Sequence, residues 1–296
     1  MLETPPVQRN FCIIVNANAG SGRPLKIIAS VEMELLNGAY TYTIFKNDLP
    51  KNLDGFSDLL IIGGDGTINR TLNHFKEITI PIIILPAGTG NDFSWKLYGK
   101  QSIIDILKQS INAKPIAIDA GICNGHIFLN GVGIGLDGQV AKQLGAQKSL
   151  GFLSYLIQVL KTIFSYQEAE MKVCWNGMAR QNRYLMISAA NGSRFGGGFM
   201  VAPGAELSDG KLELVLIKPL SIWQRLRYLP LMKKGKHLSL DFVEYAQVSK
   251  LTIESDVLLP VHLDGEMIEG KRFEIEVLEG RYWVREGRNR KREDTM

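Results

Sequence analysis

Three glycine-bearing stretches and one late acidic triplet are the parts of this chain whose residue types and spacing could do chemistry. The first is Leu59-Leu60-Ile61-Ile62-Gly63-Gly64-Asp65-Gly66-Thr67-Ile68-Asn69, an apolar run that breaks into glycines and then resumes with helical spacing. A buried strand ending this way delivers a phosphate-handling turn. Glycines let backbone N–H groups approach an anion closely, Thr67 adds a hydroxyl, and the next helix points its positive end at the same spot. Asn16-Ala17-Asn18-Ala19-Gly20-Ser21-Gly22 follows the apolar run Phe11 to Val15 in the same manner. Pro86-Ala87-Gly88-Thr89-Gly90-Asn91-Asp92-Phe93 follows Ile80 to Leu85. Each stretch alone reads equally as a tight turn, but strands that repeatedly end in Gly, Thr, Asn and Asp suggest one shared crevice at the C-terminal edge of a sheet. The acidic triplet is Asp264-Gly265-Glu266, a hairpin turn when taken alone. A carboxylate placed at a neutral hydroxyl can accept its proton as a bond to phosphorus forms.

The elements that must position these residues fall into two textures. Strand, loop and helix alternate from Phe11 onward: a helix-compatible stretch from Leu25 to Leu36, strands at Tyr40 to Phe45 and Leu59 to Ile62, a helix over Ile68 to Phe75, and another at Ile103 to Leu107. This is the order of an α/β unit. Only Lys46 to Asp58, with Pro50 and Gly55, separates the second and third strands, so any crossover helix there is very short. From Asp119 the pattern changes to short β-rich runs punctuated by Gly and Asn, which argues for antiparallel sheet. Leu144 to Phe164 interrupts it with a mostly apolar helix, read as core before lipid contact. Ile222 to Leu238 mixes Trp223, Arg225, Arg227, Tyr228, Lys233, Lys234, Lys236 and His237, a solvated basic face or a membrane-surface segment in which Pro230 breaks any single long helix.

At 296 residues the chain is long for one core, so two domains are the expectation. A net charge of +4 does not argue for nucleic acid. The opening residues lack a basic segment before an apolar core, and no apolar run reaches membrane-spanning length. Cys12, Cys123 and Cys174 are odd in number and set in apolar surroundings, which favours reduced, buried thiols and a cytoplasmic chain.

GGDGT, then a strand, then PAGTGNDF resembles the diacylglycerol kinase catalytic family, which includes bacterial lipid kinases and the sphingosine and ceramide kinases. Asn16 to Gly20 is similar to the family's first phosphate-side loop, with Ala17 in place of the usual proline. Asn191 to Gly198 and Ala202 to Leu212 are similar to two further family segments, and Asp264-Gly265-Glu266 to its late acidic turn. The resemblance implies an α/β nucleotide-binding domain over 1–118, a larger β-sandwich acceptor domain over 119–284 and a basic tail over 285–296. It implies an ATP- and Mg2+-dependent lipid kinase acting on a hydroxyl of a diacylglycerol-like lipid, with its site between the domains. ATP is then expected at Asn16, Gly20, Gly64, Asp65, Gly66, Thr67 and Thr89, with Ala17, Asn18, Ala19, Gly63, Ile68, Asn69, Arg70, Asn91 and Asp92 completing the loops. Glu266 becomes the general base, with Asp264 and Asp65 in the catalytic network. A structural magnesium is implied at Asp209 and the carbonyls of Glu206 and Lys211, a donor set suited to a hard cation that keeps waters.

Two departures stand out: Arg70 occupies a position where the family usually has Glu, and the segment after the second strand is short and lacks a Thr at the usual place. The implied partners are ATP and a lipid acceptor met at the inner membrane surface, not nucleic acid, and some bacterial relatives dimerise. NAD kinases share GGDGT but do not usually pair it with PAGTGNDF and a late DGE, and phosphofructokinases are more remote. A non-catalytic lipid-binding protein on the same scaffold is the non-enzymatic rival.

Overall fold

The structure, a computed structural model, describes residues 9–75, 77–145 and 152–287. Arg288, Arg290, Lys291 and Arg292 of the expected basic tail lie outside the described residues, as do 146–151 of the expected long apolar helix. The chain divides into two compact units, one drawn from the residues up to Gly88, Leu97–Ala117 and Tyr282 onward, the other from Thr89–Lys96 and Ile118–Arg281.

The first unit is a parallel α/β sheet. Strand β1 (Asn10–Val15) pairs with β2 (Thr41–Lys46) on one side and β3 (Asp58–Gly63) on the other, and β3 pairs with β4 (Ile82–Pro86). All of β3 is buried, the near-continuous apolar pattern of a parallel strand covered on both faces. Helix α1 (Arg23–Asn37) follows Gly22, which has a left-handed φ of 81°, and carries Pro24 in its first turn, where the missing N–H costs nothing. No helix separates β2 from β3. Helix α2 (Asp65–His74) begins three residues before the sequence expectation of Ile68. The cause is local: extended Gly64 offers its carbonyl to the N–H groups of Thr67 (2.9 Å) and Ile68 (3.2 Å), and Asp65 in the first turn complements the helix dipole. Helix α3 (Asp92–Tyr98) was not expected at all, since Asp92 and Phe93 read as the end of a loop. Its buried Phe93, Leu97 and Tyr98 give it an apolar face, and its residues up to Lys96 belong to the second unit. Helix α4 (Ile103–Asn112) is capped by Ser102, whose Oγ accepts from the Asp105 N–H at 3.2 Å.

The N-terminal end of β3 is held by a buried ionic cluster. Asp58, fully buried, accepts from Arg9 Nε (2.9 Å) and Nη2 (2.7 Å), from Arg285 Nε (2.6 Å) and from Ser57 Oγ (2.8 Å). The two guanidiniums also donate to the carbonyls of Ile111 and Ala113. Arg285, the first residue of the expected tail, is thus an anchor of the sheet.

The second unit is antiparallel. It contains β5 (Ile116–Cys123), β6 (His126–Phe128), β7 (Gly131–Gly135), β8 (Ala169–Trp175), β9 (Met178–Tyr184), β10 (Met186–Ala190), β11 (Leu212–Ile217), β12 (Val243–Val248), β13 (Lys250–Leu263) and β14 (Glu266–Val284). The order β12-β11-β10-β7-β13-β14 forms one path, with β8 and β9 added on β13 and β6 on β5. Strand β13 breaks register between Glu254 and Leu259, so its first half pairs with β8 and its last residues pair with β7. One bulged strand therefore serves both layers of a sandwich. Phe128, Val132, Ile134, Val173, Ile253 and Phe273 lie in the core it encloses. Among the described residues, the apolar helix expected over Leu144 to Phe164 is α6 (Phe152–Ser165), and a further helix, α5 (Leu136–Leu144), precedes it. Helix α7 (Ile222–Lys233) corrects another expectation, because Pro230 lies inside it without breaking it. Pro230 is one turn from the end, and its carbonyl still accepts from the Lys234 N–H at 3.2 Å, so only the bond its own nitrogen would have donated is lost.

Candidate active site

Two of the expected phosphate loops meet in the first unit. The Asn16 N–H donates to the Ile62 carbonyl (3.2 Å), and Asn16 Nδ2 donates to Thr67 Oγ1 (3.2 Å). The loop is closed on itself by the Asn18 N–H to Asn16 Oδ1 (3.1 Å) and the Ala19 N–H to the Asn16 carbonyl (3.1 Å), and it is tied to Asn47 through the Ala17 N–H (2.8 Å). Ala19 and Gly20 then enter a single 3-10 turn. A side chain on Gly63 would meet Thr67 Oγ1 at 2.4 Å, so the close approach of β3 to α2 requires glycine there. Gly64 caps α2, while Asp65, Gly66 and Thr67 form its first turn, in which the Thr67 N–H donates to the Gly64 carbonyl. Ile68 and Asn69 are buried and Arg70 is exposed. Beyond β4, the Ala87 N–H continues the pairing to the Gly63 carbonyl at 2.8 Å.

Thr89, Asn91 and Asp92 fold with the second unit. Thr89 is exposed, and Asn91 takes a left-handed φ of 53° to start α3, accepting from the Trp95 N–H at 2.9 Å. Asp92 is buried, accepts from the Gly197 N–H at 2.6 Å and pairs with Arg194 at 3.3 Å. The Arg194 guanidinium lies 4.3 Å from the centre of the Trp95 ring, and Lys96 Nζ donates to the Ala205 carbonyl. The segment from Asn191 to Gly198 is therefore fastened to α3 by a charge pair and a stacked ring.

The acidic turn joins β13 to β14. Asp264 (φ 50°) and Gly265 (φ 88°) both take left-handed backbone, as a two-residue hairpin turn with the right twist requires. Oδ2 of Asp264 accepts from the Leu129 N–H (2.7 Å), and Oδ1 accepts from those of Asn130 and Gly131 (both 2.9 Å). Asp264 thereby pins the turn to the start of β7, and Glu266, the first residue of β14, is exposed. Two residues before Asp264, buried His262 meets Asp137 at 2.7 Å, with the Phe195 ring edge-on at 5.8 Å.

Around the implied structural metal, Asp209 is exposed and its Oδ1 accepts from the Lys211 N–H at 3.1 Å. Glu206 is exposed as well. Among the described residues, no group of three or more His, Cys, Asp or Glu side chains could hold a metal. A site here would have to be built from one carboxylate, backbone carbonyls and water. The turn itself is fixed by Asp119, which lies buried in β5. Its carboxylate accepts from the N–H groups of Gly210 and Gly280, each at 2.8 Å.

The second unit also contains a pocket of about 70 Å³, partly open to solvent. Its walls come from α5, α6, α7 and the strands beneath, and they are mostly apolar: Val159, Ile163, Met186, Phe199, Leu229 and Phe242 are representative. Arg225, which the sequence grouped with surface cations, is buried at this wall and donates to the carbonyls of Leu220, Ile163 and Tyr166 and to Glu168 (2.6 Å). His237 is 2% exposed and lines the same wall. Nothing in the local spacing marks either residue as buried, although the apolar residues between the cations of 222–238 were a signal that this segment has an inner face.

Residues 10–123 match the diacylglycerol kinase catalytic domain, and residues 130–280 match the YegS C-terminal NAD kinase beta sandwich-like domain. Among curated relatives, a protein of Escherichia coli (strain SMS-3-5 / SECEC) named "Probable lipid kinase YegS" is 30% identical over 233 residues, covering 76% of each chain. A "Diacylglycerol kinase" of Bacillus subtilis (strain 168) is 25% identical over 216 residues, covering 71% of each. The backbone also resembles a crystal structure from Bacillus anthracis str. Sterne, with a TM-score of 0.80 and 24% identity over 97% of this chain and 98% of that one, a likeness of fold.

Proposed function

The chain belongs to the diacylglycerol kinase catalytic family, and from that premise we propose that it is an ATP-dependent lipid kinase that phosphorylates a hydroxyl of a diacylglycerol-like acceptor. The observation that carries a lipid over a soluble acceptor is the apolar cavity of the second unit. A pocket lined this way offers a hydrocarbon chain burial at about 0.8 kcal/mol per methylene and offers a polar dinucleotide little. The names of the relatives point the same way.

In this reading the ATP phosphates are held by the N–H groups at the start of α2 and by the Asn16 loop, whose shape Thr67 and Asn16 maintain. Magnesium, when bound with ATP, offsets the phosphate charge that would repel an attacking oxygen. The carboxylate of Asp65 is the hard oxygen donor at that loop. Glu266 takes the proton of the lipid hydroxyl as its oxygen attacks the γ-phosphorus and the bond to the departing ADP oxygen breaks. Asp264 is assigned a positioning role, because three backbone N–H groups already engage its carboxylate. Asp209 with the carbonyls of Glu206 and Lys211 is the proposed place for a second, structural magnesium.

Peripheral membrane contact belongs to the same proposal. Among the described residues no helix is long and apolar enough to cross a membrane. Yet Ile157, Leu160 and Phe164 of α6 are exposed, and Trp223 on α7 is 80% exposed, in elements that also carry Lys161, Arg227 and Lys233.

The test is labelled-phosphate transfer from ATP to micellar diacylglycerol, monoacylglycerol, phosphatidylglycerol, sphingosine and ceramide, with NAD as a soluble control. Transfer to a glycerolipid is the expected result. Transfer to NAD alone overturns the lipid assignment, and failure to bind ATP in the presence of magnesium overturns the kinase assignment.

A further inference from the structure

Besides the Tyr228 hydroxyl, three polar side chains line the apolar cavity, and two of them are already engaged. Asp137 is held by His262 at 2.7 Å, and Arg225 donates to three carbonyls and to Glu168. His237 differs. It is 2% exposed, and neither Nδ1 nor Nε2 has a partner at good hydrogen-bond geometry, the Val201 backbone engaging the ring only weakly. Its position is fixed by the backbone: Gly235 takes a left-handed φ of 68°, and a side chain there would meet Met200 and Pro203 at 3.1 Å, so the segment runs tightly against residues 200–203. The Leu240 N–H to His237 carbonyl bond (3.1 Å) closes the next turn.

A buried polar ring without a well-placed partner is unfavourable, and native proteins seldom retain one unless water or a ligand completes it. We propose that His237 is the polar anchor of this cavity and donates a hydrogen bond to an acyl ester carbonyl of the bound lipid. This rests on the lipid reading above and adds to it the chemical class that the cavity selects, acyl esters rather than ethers. Burial pushes the His237 pKa below the ordinary histidine value, with the Val201 backbone opposing only in part. The ring is therefore neutral near pH 7 and presents one N–H donor and one acceptor nitrogen. An ester carbonyl suits it because that oxygen sits where a hydrocarbon chain joins the glycerol. The free hydroxyl is the group that must reach Glu266 instead.

The experiment compares binding of a radiolabelled diacylglycerol with that of the dialkyl ether of the same chain lengths, in detergent micelles, to the full chain and to His237→Leu, His237→Phe and His237→Gln. Two apolar variants are included so that failure of one to fold leaves the comparison intact, and thermal melting identifies which variants are folded. The parent is expected to prefer the ester by about five- to tenfold, the value of one hydrogen bond. The preference should fall to about one in the apolar variants and largely survive in His237→Gln. Equal binding of ester and ether by the parent, or an unchanged preference in a folded apolar variant, overturns the proposal. Phosphate transfer is read in the same samples. An ester preference without any transfer supports the anchor while sinking the kinase reading, and transfer without an ester preference does the reverse.

Discussion

The two ends of β3 use their polar groups for different tasks. At the start of the strand, Asp58 is wholly buried, and its carboxylate is taken up by Arg9, Arg285 and Ser57. At its end, Gly63 lets β3 approach Thr67 closely and Gly64 caps the first turn of α2. The hairpin of β13 and β14 repeats the division over two residues: three N–H groups engage Asp264, and Glu266 is exposed. A carboxylate whose oxygens are filled by fixed donors holds structure together. Glu266, two residues on from Asp264, is exposed and held on the same turn, the placement that the proposed proton transfer requires.

This contrast predicts which substitutions cost stability and which cost activity. The largest loss of stability is expected for Asp58→Asn, which leaves two mostly buried guanidiniums facing a neutral amide. Removal of one partner from a buried ion pair costs about 3–5 kcal/mol, so chemical denaturation should show a drop of that size. A drop below about 1 kcal/mol would show that the cluster is no stronger than a surface pair. Asp264→Asn should cost less, about 1–3 kcal/mol. Asparagine keeps the left-handed turn and the oxygen facing Asn130 and Gly131, but turns an NH2 toward the Leu129 N–H. Turnover should also fall, through loss of position at Glu266, and unchanged turnover would separate the two residues functionally.

The smallest effect is a pH slope. Because burial lowers the His237 pKa in the folded state, the unfolded chain binds more protons once the pH falls below the ordinary histidine value near 6.5. His237 then favours the folded state least in acid and penalises it progressively on acidification. His237→Gln should flatten that part of the stability profile. Asp137 and Arg225 share the cavity wall and remain in both proteins, so the difference between the two profiles isolates the imidazole. Parallel profiles from pH 7 to pH 5 would contradict the burial argument.

Where local structure is set by contiguous residues, it was legible in the sequence. Glycines at 63, 64 and 66 after an apolar run can hardly form anything but a strand, a tight turn and a helix start, and Asp264-Gly265 has few alternatives to a hairpin. The two-texture division, α/β then antiparallel, followed from the same local patterns. What could not be read depends on burial brought about by distant partners. Asp58 and Arg285 are 227 positions apart. Arg225 looked like one more surface cation because nothing near it in the chain reveals the carbonyls of Ile163 and Tyr166. Pro230 looked like a break because sequence does not show how close a helix is to its own end. The cavity draws on residues from Leu136 to Phe242, and no single stretch of sequence announces it.

The most direct test of the division between holding and reacting carboxylates is ATP binding and single-turnover phosphate transfer to diacylglycerol, measured together for the parent and for Glu266→Gln. The account predicts unchanged ATP affinity and melting, with transfer reduced by about 10²–10⁴-fold, because only proton removal is lost. Transfer at the parental rate would contradict it, since the exposed carboxylate of the hairpin would then have no part in the chemistry.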